Sequence, residues 1–359
     1  MLMSHTDAIR LDAAPWTQRQ QASSSLAFDW VAVALCAWLQ GGGFLDGWAH
    51  NHGRVDASFF TPWHAVLYTG FLAVASWLVG TLIHNWAKGA AWQHVLPPGY
   101  ALSFLGVLVF VAGGTGDLVW HSLFGVEQSI EALYSPTHLT LAVGSALIMS
   151  GPIRAAWKRP DRASSPGWQQ LLPMLLSLTF LLSGFTFSAQ VLHPLMALRR
   201  ATSLPRTHEM LLYLQALTIA SVLLQISLKM GVILLALRRW RLPVGSITLV
   251  FTLNGLLMCT LDPHDDYELI VPVMLAGLMA DGLRSALKPS PQRPWAFRLF
   301  AVVVPVLFYL SYFVALLLLK GFWWSVHLWT GAIVLAGLAG LLLSYLVVPP
   351  QEPCEEHGR

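Results

Sequence analysis

Two windows of the 359-residue chain set aspartate and histidine at the same offsets. The first, Gly42 to Gly70, reads GGFLDGWAHNHGRVDASFFTPWHAVLYTG. The second, Gly113 to Gly144, reads GGTGDLVWHSLFGVEQSIEALYSPTHLTLAVG. Both follow G-G-x-x-D-x3-H, then Val and an acid, then [ST]-P-x-H-x2-L-x2-G, and the second loop is longer by three residues. Asp46 and His50 therefore match Asp117 and His121, and Val55-Asp56 matches Val126-Glu127. Pro62 and His64 match Pro136 and His138. Self-similarity of this depth marks a duplicated unit.

An Asp and a His four apart share one helix face, one above the other. They offer either two metal ligands or a histidine with its carboxylate support. After the turn, Thr61 or Ser135 suits a helix N-cap and Pro62 or Pro136 the first turn. His64 and His138 then occupy the third helical position, where the positive end of the helix dipole disfavours imidazolium. Neutral imidazole is the form that binds a metal. Each hairpin thus gathers Asp46, His50 and His64, or Asp117, His121 and His138. Three N/O ligands with open positions describe a catalytic or transport site rather than a closed structural one. Cys36, Cys259 and Cys354 share no close spacing, which excludes a CxxC site and a cysteine zinc site. A transition metal held by imidazole and carboxylate remains, with zinc, copper(II), iron and manganese as candidates. The plainer alternative is a hydrogen-bonded staple closing each hairpin. A lone pair would favour the staple; the duplication favours metal.

Weaker echoes follow at Gln190 and His193, at Pro205 to Glu209, and from Leu261 to Glu268. Glu127 and Glu131, four apart, read as the solvated face of a short interfacial helix. Trp63, Trp120, Trp323 and Trp324 read as interfacial anchors. The paired glycines Gly42-Gly43 and Gly113-Gly114 allow another helix to approach closely.

The elements that carry these residues are apolar. The chain is 55% hydrophobic and 11% charged, with a mean hydropathy of +0.59, against about a quarter charged in soluble domains. A net charge of +3 is far too weak to suggest nucleic acid, which is not expected as a partner. Ten runs approach the roughly 20 residues needed to cross a bilayer: 26–50, 61–84, 99–121, 136–157, 168–192, 208–237, 244–262, 267–286, 297–319 and 322–348. The runs lack period-two alternation, so a β-barrel is excluded. The expected fold is an all-α polytopic transmembrane bundle of about ten spans in five hairpins, with the repeat in the first four helices. Along the chain these form a polar tail (1–25), the duplicated region (26–157), about six further helices (158–348) and a second tail (349–359).

Lys and Arg concentrate in the N-terminal tail and the even-numbered connections, which places both termini in the cytoplasm of a bacterial inner membrane. His50, His52, His64, His121, His138, His193, His208, His264 and His327 then fall on the extracytoplasmic face, nine of the 13 histidines. Acids are enriched there too, which concentrates cations. The lipid bilayer is the expected partner, with other membrane subunits as candidates.

The Asp-x3-His…His hairpin resembles a metal site found in one membrane subunit of the copper membrane monooxygenases, which carries D-x3-H-x12-H on membrane helices. Here the spacings are Asp46-x3-His50-x13-His64 and Asp117-x3-His121-x16-His138. The resemblance implies that these six residues are copper ligands and that the protein is a metal-dependent oxidoreductase. Two other classes fit the same residues. A metal-ion or proton transporter or sensor would use the face as a funnel, with Asp29, Asn254 and Asp281 as the polar groups further along. A haem-b electron carrier would pair His64 with His138. No P-loop, GxGxxG, HExxH or GxSxG motif occurs.

Overall fold

A computed structural model of the chain describes residues 25–54, 60–125, 130–159, 167–194, 208–264, 266–321 and 324–350. The two tails of the expected organisation lie almost wholly outside these residues, as do Asp56, Glu127 and Trp323. Among the described residues the structure is helical throughout, without a named strand. The helices are α1 (Leu26–Asn51), α2 (Pro62–Ala87), α3 (Ala101–Phe124), α4 (Glu131–Tyr134), α5 (Pro136–Met149), α6 (Gly151–Lys158) and α7 (Trp168–Ser188). They continue with α8 (His208–Arg239), α9 (Ser246–Thr260), α10 (Ile270–Leu287), α11 (Pro294–Leu319) and α12 (Val326–Val347).

Nine stretches of the described residues are long and apolar enough to span a membrane, and α9 is a shorter apolar helix. The ten expected runs are all present as helix, so the chain is an all-α, multi-pass membrane bundle. Two runs differ from expectation in form. The seventh, α9, has only 15 residues, about 22 Å of helix. The fourth is two helices, α5 and α6, parted at Ser150. Pro152 causes the break, because it lacks the N–H that would bond to the carbonyl four residues back. That carbonyl, Ile148 O, accepts a hydrogen bond from Ser103 Oγ instead, at 3.1 Å. The Arg154 guanidinium donates to the neighbouring Leu147 carbonyl at 3.0 Å.

The two copies of the repeat fold alike. The α1–α2 hairpin closes where a Cβ on Gly42 would lie 2.5 Å from Leu67 Cα, and one on Gly70 would lie 2.9 Å from Leu39 Cα. In the second hairpin, α3 with α5, Gly113 meets Leu141 and Gly144 meets Phe110 in the corresponding positions. The helix that the first glycine of each pair admits is the return helix of its own hairpin. The second glycine of each pair does something else: Gly43 meets only a leucine side chain at 3.9 Å, and Gly114 makes room for the ring of Tyr68.

Buried residues form two apolar cores. One lies among α1, α2, α3 and α5, with contributions from α6 and α7. The larger joins α7 to α8–α12, with Phe44 of α1 reaching into it. Trp324, expected as an interfacial anchor, is 6% exposed and belongs to this larger core, its ring 5.9 Å from that of Phe313. At the end of the bundle opposite the two Asp/His sets, Asp29 is buried, accepts a hydrogen bond from Tyr100 Oη at 2.7 Å and pairs with Arg159.

Candidate metal centre

The end of α1, the start of α2, the end of α3 and the start of α5 lie at one end of the bundle, because successive helices run in opposite directions. The N-caps form as expected. Thr61 Oγ1 accepts from the His64 backbone N–H at 3.1 Å, and Ser135 Oγ from that of His138 at 3.4 Å. Pro62 and Pro136 open their helices, and each cap presents its histidine on the first turn.

Each hairpin brings its three residues together. Asp46 Oδ1 lies 3.4 Å from His64 Nε2, and Asp46 Oδ2 lies 4.0 Å from His50 Nε2. In the second copy Asp117 Oδ1 is 3.4 Å from His138 Nε2, and Asp117 Oδ2 is 3.5 Å from His121 Nε2. Within each set one nitrogen or oxygen from every residue lies within 4.8 Å of the others, an arrangement that could hold a metal ion. The spacing is informative. Hydrogen-bonded N and O atoms sit about 2.7–3.2 Å apart, whereas ligands at about 2.0–2.2 Å from a tetrahedral ion lie roughly 3.3–3.6 Å from one another. Three of the four pairs fall in the second range, and His50 is looser.

The second copy also orients its imidazoles from behind. His121 Nδ1 is 3.2 Å from the Gly125 carbonyl oxygen, which can only accept, so Nδ1 carries the proton there. His138 Nδ1 meets Ser135 Oγ at 2.8 Å. Both contacts leave Nε2 facing Asp117. Thr137 Oγ1 donates to Asp117 Oδ1 at 2.9 Å. Such backing of ligands is usual at metal sites. Asp117 is 1% exposed, and an ionised carboxylate so buried requires a cationic partner or several donors.

The two sets are neighbours. His50 lies within electrostatic range of His121 and His138 as well as His64, and the Tyr68 hydroxyl lies within range of both Asp46 and Asp117. Asp46, His50 and His138 share the wall of one cavity of about 1750 Å³ between α1, α5 and α7.

Among the described residues the weaker echoes add no group to either Asp/His set, and Pro205 to Thr207 lie outside those residues. Asp262 accepts from the backbone N–H of His264 and faces its Nδ1 at 3.2 Å, a local turn. Asp266 and Glu268 pair with Lys320, Asp266 at 3.1 Å. Gln190 Oε1 accepts from Asn51 Nδ2 at 2.7 Å, which ties α1 to the end of α7. His193 is buried, and burial together with the Lys229 ammonium pushes its pKa well below the usual imidazole range. It is neutral at pH 7.

Sequence reading passed over Lys229. It lies inside α8, 3% exposed, with its ammonium 5.7 Å from the centre of the Phe308 ring and no ion pair among the described residues. Gln225 Oε1, Asn254 Oδ1 and Tyr312 Oη, which lack hydrogen-bond partners among the described residues, line a small cavity with it. The available signal was Gln225 and Lys229 four apart in an otherwise apolar run.

Comparison with protein-family models, curated proteins and solved structures returns no match for this chain.

Proposed function

We propose that the protein binds transition-metal ions at the extracytoplasmic ends of its first four helices and works there as a metal-dependent oxidoreductase. Asp46, His50 and His64 would ligate one ion; Asp117, His121 and His138 would ligate another. The observation that carries this reading is the repetition of one ligand geometry. In both copies the two oxygens of a single aspartate face two Nε2 atoms, one from the same helix and one from a capped return helix. Imidazole and carboxylate without thiolate suit copper(II), iron, zinc or manganese. The resemblance to the copper membrane monooxygenase hairpin favours copper. A bound ion would supply a Lewis acid or a redox centre with open positions. The Gly125 carbonyl holds His121 in the tautomer whose Nε2 is free to ligate, and Ser135 and Thr137 orient His138 and Asp117.

Elemental analysis of purified wild type beside His64→Ala and His138→Ala tests the reading. Wild type is expected to carry stoichiometric metal, and each variant to lose the ion of its own copy. Equal content in all three, or none in wild type, returns both sets to hairpin staples.

A transporter or sensor of metal ions or protons is the second reading, favoured by Lys229 and His193 within the second bundle. Against a continuous path, Asp29 is engaged by Tyr100 and Arg159, and Asp281 by the N–H and hydroxyl of Thr248. Asn254 donates to Ser183 and Thr186. Haem b finds less support still, since His64 and His138 are each turned to an aspartate of their own hairpin.

A further inference from the structure

The cavity beside the two Asp/His sets has a polar end and an apolar end. Its wall on α1 runs from Leu39 to Asn51, on α5 from His138 to Met149, and on α7 from Phe180 to Ser188. The eleven steps from His138 to Met149 correspond to about 17 Å, close to half of a hydrocarbon core of about 30 Å. At the helix ends the lining is Asp46, His50, His138, Asn51 and Gln190; at depth it is Leu39, Phe110, Met149 and Phe180, with the Gln40 amide the one polar side chain beside them. The slot is open sideways. Leu139, Val143 and Phe185 line it and are 44%, 54% and 49% exposed, so the gap between α5 and α7 faces the lipid.

Its volume, about 1750 Å³, exceeds the roughly 300–1,000 Å³ of ordinary small-molecule pockets. A small gas or a hydrated ion would leave most of it empty. Its polarity gradient runs the same way as that of a molecule lying in one leaflet, with the head at the interface and the tail toward the midplane. Among the described residues no Lys or Arg lines it, and the Asp46 carboxylate at the polar end repels an anionic head such as a phosphate. We infer that the slot binds a neutral long-chain amphiphile with an oxygen-bearing head, entering from the bilayer between α5 and α7. Its head lies beside His50 and His138 and its tail among Leu39, Met149 and Phe180. Resting on the metal-site reading, this names the substrate class of that site as lipid-borne.

Gly184 provides the test. It lines the slot, and a Cβ built on it meets nothing within 4 Å, so Gly184→Phe fills the slot without displacing backbone. The probe is a long-chain primary alcohol with a diazirine at the end of its tail, added to the full chain in phospholipid nanodiscs. Photolabelling is expected on Met149, Phe180 and their neighbours. It should be displaced by unlabelled alcohol and fall at least tenfold in Gly184→Phe, with metal content unchanged. Gly43→Leu, whose Cβ meets only the end of a leucine at 3.9 Å, serves the same purpose nearer the head if Gly184→Phe does not fold. Labelling that is equal in the filled variants overturns the inference. So does labelling that unlabelled alcohol does not displace, which would identify bilayer phospholipid or a neighbouring helix as the occupant. Metal content separates the two readings: a labelled slot without metal rejects the metal site alone, and metal without slot labelling rejects the slot alone.

Discussion

At the residue scale, the two copies are alike in ligands and unlike in support. Asp117 is 1% exposed and has the Thr137 hydroxyl on one oxygen, whereas the Asp46 side chain is 19% exposed. The position matching Thr137 in the first copy is Trp63, whose indole donates to the Arg54 carbonyl instead. Supporting groups of this kind are worth about 10- to 100-fold in metal affinity. Thr137→Val should therefore weaken metal binding at the second site by that factor and leave the first unchanged. Competition against a chromogenic chelator, run in a His64→Ala background, reads the second site alone. The six candidate ligands were legible in the sequence because D-x3-H and the Pro-led return helix are local patterns. Thr137 and Tyr68 were not, because their relation to the site depends on how helices pack. Lys229 was hidden for the opposite reason: surrounded by apolar residues, it does not disturb a hydropathy reading.

At the element scale, glycine decides how near the helices of each hairpin come, and so whether a histidine on one reaches an aspartate on the other. Gly42→Ala would set a methyl 2.5 Å from Leu67 Cα, and Gly144→Ala one 2.8 Å from Phe110 N. Backbone atoms cannot swing aside as side chains do, so the helices must part. Overpacking of this kind costs about 1–3 kcal/mol, and the same parting should lower the metal content of the affected copy. Gly41→Ala is the matched control. Its Cβ meets nothing within 4 Å, and alanine is favoured over glycine in a helix interior by roughly 0.5–1 kcal/mol. Thermal unfolding in detergent should rank the variants Gly41→Ala above wild type and wild type above the other two. The paired glycines could be read from the sequence as a close approach, but not which helix approaches. The ten long helical runs were legible from apolar stretches alone. The break at Ser150 was signalled by Gly151-Pro152, yet the run stays apolar across it, and hydropathy passed over it.

At the scale of the whole molecule, the two cores divide the labour. The duplicated hairpins carry the candidate metal ligands, and α7 stands between them and the second bundle, lining the slot on one side and packing into the larger core on the other. Buried Lys229 in that second bundle bears on how the chain is made. Ten residues separate it from Arg239, about 15 Å of helix, which places its amine near the middle of a core of about 30 Å. A lysine at the centre of an inserting helix costs about 2.5–3.5 kcal/mol, a debt α8 can carry because an 18-residue window of it has a mean hydropathy of 2.1. Its ring partner Phe308 and its cavity neighbours Asn254 and Tyr312 belong to α9 and α11, which leave the ribosome later. The amine is thus made before part of the cavity that encloses it, beside only His193, Pro194 and Gln225 at first, which gives assembly an order. A chain ending at Leu287 leaves that cavity incomplete. Pulse–chase of this truncated chain should show rapid degradation, slowed by Lys229→Leu, and the same substitution in the full chain should leave its lifetime unchanged. That pair of outcomes would make the lysine a mark by which an unfinished copy differs from a finished one.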